Sequence, residues 1–177
     1  MRRIAATVFA LCLAPSLAIA CWGEAAQRYG VSPQLLYAMA RVESSLNPAA
    51  VNNSHLKSTG TYDIGLMQIN SSHLSSLARH GIKETDLYDP CTNIHLGAWL
   101  LADEFSRYGM TWEGVGAYNA ACTQLRGKDC RAARAKYAWL VYRHLPAAQA
   151  ATASQTAAQA THGETVYVPI LAVRVAP

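Results

Sequence analysis

The sequence predicts an α+β domain that is mainly α-helical, followed by a flexible Ala/Gln/Thr-rich linker and a C-terminal tail. Three observations predict it: capping residues precede stretches of helical apolar spacing, residues 50–64 are polar and rich in turn formers, and four cysteines follow residue 20 in a chain of 177 residues. A chain of this length usually forms one domain. We therefore expect one helical core with a small β or turn element beside it.

The N-terminus has the pattern of a secretory signal peptide over residues 1–20. Two arginines precede an apolar run from Ile4 to Leu17, and Ala18-Ile19-Ala20 is a small-residue cleavage site. The run is short for a membrane span, so we expect no stable span after cleavage. Cleavage would leave Cys21 first, where lipid attachment is an alternative to a free periplasmic protein.

Four cysteines remain after the signal, which also carries Cys12. An even number in an exported chain indicates disulfides, and four cysteines allow three connectivities. The short spacing favours Cys122–Cys130, which leaves Cys21 with Cys91, but the other pairings stay open. A metal site is disfavoured, because no two of these cysteines are two to four residues apart.

Helix boundaries follow from caps and spacing. Ser32 and Pro33 predict a first helix that reaches about Ser45, before Asn47-Pro48 stops it. Residues 50–64 indicate turns and a small hairpin. A second helix runs from Asp89-Pro90 to about Tyr108, with an apolar face that repeats every three or four residues.

Two more helices and a tail complete the chain. Thr111 can cap a third helix through Tyr118, and a fourth is expected from Arg131 to Leu145. The domain then covers residues 21–146. Residues 147–177 begin with an Ala/Gln/Thr/Ser linker and end with an apolar, β-prone stretch, which is either a loose tail or a strand that docks on a partner.

Glu43 is the strongest catalytic candidate from the residues alone. It continues the apolar face of the first helix, seven, four and three residues after Leu36, Met39 and Ala40. A carboxyl group that emerges from such a face loses hydration, which raises its pKa and lets it donate a proton near neutral pH. The alternative is that Glu43 turns outward to water.

Charge and motif content exclude several classes of function. The chain carries +4, and removing two signal arginines leaves 4 − 2 = +2, which is far from a nucleic-acid-binding signature. Neither a phosphate-binding glycine loop nor a histidine spacing typical of a metal site is found. We expect no cofactor and no metal.

Several motifs occur in a fixed order that resembles the soluble-type lytic transglycosylases of the lysozyme-like superfamily. They are Glu43-Ser44-Ser45-Leu46-Asn47-Pro48, Gly65-Leu66-Met67-Gln68-Ile69-Asn70, Asp89-Pro90 with Asn93-Ile94 and Gly97, and Ala117-Tyr118-Asn119-Ala120. The resemblance covers about residues 21–145 and is strongest to the small exported branch that accompanies type III and type IV secretion, conjugation and pilus machines.

The resemblance implies a lysozyme-like fold, a peptidoglycan substrate and a role for each motif residue. Glu43 would be the single acid and base that forms 1,6-anhydromuramic ends. Substrate contacts would come from residues of all three main motifs: Ser44, Met67, Gln68, Asn70, Tyr118 and Asn119. An envelope secretion or conjugation machine would be a partner, reached through the C-terminal tail.

Two other functions stay open. Asp63, which precedes Gly65, also looks like the second carboxylate of animal c-type lysozymes, so a lysozyme-type hydrolase is one alternative. Asp63 could instead cap a turn. The other alternative is a mainly structural wall-binding assembly factor, although an acid with a raised pKa has no use in a binding module.

Overall fold

The computed structural model describes residues 17–146. Residues 1–16 of the expected signal peptide and the whole expected tail, 147–177, lie outside the described residues. Within residues 17–146 the chain forms seven α-helices and three short strands: α1 Leu17–Tyr29, α2 Pro33–Ser44, β1 Val51–Asn52, α3 Leu56–Thr59, β2 Asp63–Ile64, β3 Ile69–Asn70, α4 Leu74–Ala78, α5 Pro90–Tyr108, α6 Trp112–Asn119 and α7 Gly127–Tyr142.

The predicted caps start three of the helices. The side chains of Ser32, Asp89 and Thr111 accept hydrogen bonds from backbone N–H groups in the first turns of α2, α5 and α6. Each cap satisfies a donor that has no partner inside its helix. These helix starts, and the end of α5 at Tyr108, confirm the boundaries read from the sequence.

The helices predicted from the sequence differ from the structure at α7 and α1. Helix α7 begins at Gly127, four residues before the predicted start, and ends at Tyr142. Its buried residues begin only at Arg134, so apolar spacing places the start too late. Helix α1 was not predicted, because the residues that it buries include Ala25 and Ala26, whose small side chains give a weak periodic signal.

The three strands form one antiparallel sheet in the order β1-β2-β3. Asp63 pairs with Asn52 on one side and with Asn70 on the other. Because side chains alternate across a sheet, these three polar residues share one face, and Ile64 and Ile69 are buried on the other. The small hairpin expected in residues 50–64 is therefore extended by a third strand.

Helix α5 is the central element. It packs against α1, α6, α2 and the edge of the sheet at β3. The core that it helps to form is apolar, and its largest completely buried side chains are Leu35, Leu36, Met39, Ile64, Met67, Ile69, Leu87, Ile94, Leu101, Val115 and Val141.

Helix α7 is fixed against α6 by Arg134, which is buried. Its guanidinium donates to the Ala120 carbonyl at 3.0 Å and to Glu113 at 2.8 Å, and lies over the ring of Tyr108. Gly116 makes the close approach possible, since a Cβ there would lie 2.5 Å from the Arg134 carbonyl oxygen. These partners offset part of the cost of burying the cation, and they link the two helices.

Two disulfides join the described residues, Cys21–Cys91 and Cys122–Cys130. This is the pairing that the spacing favours. The first ties α1 to the start of α5, and the second ties the loop after α6 to the first turn of α7. No helix in residues 17–146 has the length and apolar character needed to cross a membrane.

Candidate active site

Glu43 extends the buried face of α2, as the helical spacing predicts. Leu36, Met39 and Ala40 on this face are completely buried, and Glu43 itself is half-buried. The Tyr137 hydroxyl donates a hydrogen bond to Glu43 Oε1 at 2.5 Å. Burial raises the pKa of Glu43 to about 7; the bond from Tyr137 opposes this, and the charge of Asp63 adds to it.

Tyr137 is the site residue that sequence reasoning missed. From the sequence, Tyr137 is only one residue of the predicted fourth helix, and no motif assigns it a functional role. Its ring is buried, as a core tyrosine would be, but its hydroxyl reaches across to α2. A tyrosine on an apolar face usually belongs to the core, so only the packing of α7 on α2 identifies this contact.

The turn at residues 65–68 lies at the centre of the hydrogen-bond network. Gly65 has φ +80°, and a Cβ there would lie 2.5 Å from the Leu87 carbonyl oxygen and even closer to the Asn93 amide. Asn93, which is buried, accepts from the Met67 N–H at 2.7 Å and donates to the Ile64 and Leu87 carbonyls. Helix α5 therefore fixes the backbone of this turn.

The structure corrects the expected substrate contact of Met67. Its side chain is completely buried and packs on Gly97, where a Cβ would lie 2.6 Å from Met67 Cγ. An apolar side chain that fits a space left by a glycine belongs to the core and cannot reach a sugar. Only the Met67 backbone takes part in the site, because its carbonyl accepts the Tyr118 hydroxyl at 2.8 Å.

Ser44 and Gln68 also bind this turn. The Ser44 hydroxyl donates to the Leu66 carbonyl at 2.8 Å, which ties the end of α2 to the turn. The Gln68 amide donates to the Gly65 carbonyl at 2.8 Å and to the Ala50 carbonyl at 3.4 Å. Their donor hydrogens are used inside the protein, so a sugar would meet only their oxygen lone pairs.

Asp63 is held by Asn52 and Asn70, the two residues beside it on the polar face of the sheet. We call these three residues the polar row. The Asn70 amide donates to Asp63 Oδ1 at 2.6 Å, and the Asn52 amide donates to Oδ2 at 3.4 Å. His55 Nε2 lies 3.5 Å from the same Oδ2. Because Asn70 also donates to Thr61, its amide hydrogens have protein partners, as those of Gln68 do.

The structure brings Glu43, Asp63 and the two tyrosines into one electrostatic cluster. Burial raises the pKa of Tyr118 well above its ordinary value, and the charges of Glu43 and Asp63 raise it further. Burial and the charge of Glu43 likewise raise the pKa of Tyr137 well above its ordinary value. Asn119, the last residue of α6, is exposed, so its side chain lies outside the core.

No other part of the described chain gathers comparable chemistry. In residues 17–146, no three His, Cys, Asp or Glu side chains come together as a metal site. A surface depression between α1 and α5 is lined by Glu24, Gln27, Arg28 and His95, and it contains none of the motif residues.

Residues 20–140 match the model of the family described as the transglycosylase SLT domain. The chain is 42% identical over 126 residues to invasion protein IagB of Salmonella typhi, covering 71% of this chain and 76% of that protein. It is 41% identical over 135 residues to protein IpgF of Shigella flexneri, covering 75% of this chain and 84% of that protein.

Among solved structures, the chain resembles an inactive mutant of lytic transglycosylase Slt from Pseudomonas aeruginosa, with a TM-score of 0.56 and 22% identity. The match covers 73% of this chain but 23% of Slt, so the chain spans about a quarter of that protein's length. The likeness concerns the fold, and it confirms the predicted mainly helical α+β architecture.

The raised pKa of Glu43 predicts a pH-dependent gain of stability when Glu43 is replaced by Gln. Below the unfolded pKa of 4.5 both states of the wild type are protonated; as pH rises towards 7, only the unfolded chain loses the proton, so the wild type loses stability. Over this window the loss is about 3 kcal/mol. Thermal unfolding should show Glu43→Gln more stable than wild type at pH 8 and equal at pH 4.

The control for this measurement is Glu24→Gln, which changes an exposed carboxyl. It should behave like wild type at both pH values. A stability difference between Glu43→Gln and wild type that is the same at pH 4 and pH 8 would contradict the raised pKa.

Proposed function

This chain belongs to the transglycosylase SLT domain family, and we propose that Glu43 is the single acid and base of its reaction. The chain is a peptidoglycan lytic transglycosylase, which cleaves the β-1,4 bond between N-acetylmuramic acid and N-acetylglucosamine. The observation that carries the role of Glu43 is that its half-buried carboxyl group has a pKa of about 7, close to the charge of Asp63 and the hydroxyl of Tyr137.

In the first step Glu43 acts as the acid. A glutamate with the ordinary pKa of 4.5 is protonated in only about one molecule in 300 at pH 7, whereas a group with a pKa near 7 is protonated in about half. Tyr137 occupies Oε1 at 2.5 Å, which leaves Oε2 for the substrate. Oε2 gives its proton to the glycosidic oxygen as the bond from that oxygen to muramic C1 breaks.

In the second step the same group acts as the base. The Glu43 carboxylate takes the proton of the muramic C6 hydroxyl, whose oxygen bonds to C1 and closes the 1,6-anhydro ring. The proton lost in the first step is recovered, so the enzyme is regenerated without water. The Tyr137 hydroxyl stabilises the carboxylate between the two steps, because a hydrogen bond to a charged acceptor is stronger than one to a neutral acceptor.

Asp63 supports the second candidate, a lysozyme-type hydrolase. Its negative charge raises the pKa of Glu43 and of Tyr118, so Asp63 belongs to the same cluster. In that role Asp63 would stabilise the positive charge at C1 or activate water. Asp63 accepts hydrogen bonds from Asn70 and Asn52, and His55 lies beside it. These contacts favour a role as a fixed negative charge over a role as the base that activates water.

The site of action that we propose is the periplasm, where disulfides persist and peptidoglycan is within reach. The relatives named above include an invasion protein. This supports a role in local opening of the wall during assembly of a secretion, conjugation or pilus machine, with the tail over 147–177 as the segment that contacts it. A mainly structural wall-binding role is the alternative to this catalytic one.

Replacing Glu43 by Gln should abolish cleavage of purified peptidoglycan, because the amide can neither donate nor accept the required proton. Mass spectrometry of a wild-type digest should show muropeptides that are lighter by one water and carry anhydro ends. The Glu24→Gln control should keep full activity. Reducing ends as the main wild-type product would favour the hydrolase. Undiminished cleavage by Glu43→Gln would show that Glu43 is not the catalytic acid, and an inert Glu43→Gln variant that still supports assembly of the machine in cells would support the structural alternative.

Replacing Tyr137 by Phe should raise the pKa of Glu43, since the hydrogen bond from Tyr137 lowers it. The acid form would then persist to higher pH, so the alkaline limb of kcat/KM should move up by about one pH unit. The exposed Tyr142 on the same helix provides the control, Tyr142→Phe. An alkaline limb that stays in place or moves to lower pH in Tyr137→Phe would refute this role.

A further inference from the structure

His55 is the one residue of the β1–α3 turn that folds back towards the polar row of the sheet. Its neighbours Ser54 and Leu56 are exposed, whereas the His55 side chain is 28% exposed and that of Asp63 is 18% exposed. Nε2 of His55 lies 3.5 Å from Asp63 Oδ2. Nothing in the family motifs or in the proposed chemistry of Glu43 uses this contact.

The two oxygens of Asp63 are held unequally. Oδ1 receives a short bond of 2.6 Å from Asn70, whereas Oδ2 receives only a 3.4 Å bond from Asn52, which is near the limit for a hydrogen bond. The imidazole of His55 is the remaining group that faces Oδ2. The Asp63 side chain is 18% exposed, and we expect removal of the imidazole to increase the access of water to Oδ2.

We propose that His55 is a positioning residue that determines the product of the reaction. By covering Asp63 Oδ2, it keeps Asp63 as a fixed negative charge and prevents it from taking a proton from water. The C6 hydroxyl of the substrate then captures C1. This inference rests on the proposed function, because it concerns the partition between two fates of the same glycosyl centre.

The competing step is a balanced hydrolysis. Glu43 protonates the leaving oxygen, the bond from that oxygen to C1 breaks, a water oxygen bonds to C1, and the water proton passes to Asp63. The product is a reducing muramic end. Water can make this attack only if a carboxylate oxygen can accept its proton, and Oδ2, which receives the longer hydrogen bond, is the more available of the two oxygens.

The test measures the ratio of reducing to anhydro ends after digestion of peptidoglycan in ¹⁸O-labelled water, in which only hydrolysis adds the label. His55→Ala uncovers Oδ2 and should raise this ratio at least about threefold, as expected for loss of one polar contact. His55→Gln is the matched control, because its amide N–H can reach the same oxygen, and its ratio should equal that of wild type. Adding Asp63→Asn to His55→Ala should return the ratio to the wild-type value.

A merely structural role of His55 would lower the total rate of His55→Ala and leave the product ratio unchanged, and that outcome overturns the inference. A ratio that rises in His55→Ala but stays high in the double variant with Asp63→Asn also overturns it. Failure of the proposed function is a different observation, since wild-type protein would then produce no anhydro ends.

Discussion

The constraint on which the proposed reaction depends is that one carboxyl group must stay protonated near neutral pH while a polymer can still reach it. Glu43 meets both requirements because it ends a buried helical face yet is itself only half-buried. Desolvation raises its pKa, and Tyr137 limits the rise by stabilising the charged form. A carboxyl group with a pKa near 7 can serve in both proton transfers of the proposed reaction. Its burial lowers the stability of the folded protein, as is common for functional residues.

The motif residues build this site more than they line it. Ser44 binds the Leu66 carbonyl of the turn at residues 65–68, and Tyr118 and Asn93 bind the carbonyl and the N–H of Met67. Gln68 closes the turn from within. These bonds fix the turn beside Glu43, and the sheet holds Asp63 in the same way. These motif residues determine backbone positions, so a side chain such as Met67 can belong to the motif without contacting a sugar.

Much of the architecture could be predicted from local signals. Caps such as Ser32 and Asp89 act within one helical turn, so the sequence itself places them, and the spacing of Glu43 from Leu36 determines its face. The contacts of Tyr137 with Glu43 and of His55 with Asp63 could not be predicted. They join segments that are distant in sequence or fold back from a polar turn, and neither has a periodic or compositional signature.

The protonation of Glu43 can be followed by an NMR titration of its side-chain carboxyl carbon in the folded protein, with the resonance assigned by its loss in Glu43→Gln. Burial of the carboxyl group predicts a midpoint at about pH 7. A midpoint near the ordinary value of 4.5 would show that the carboxyl is hydrated and charged, and would contradict it.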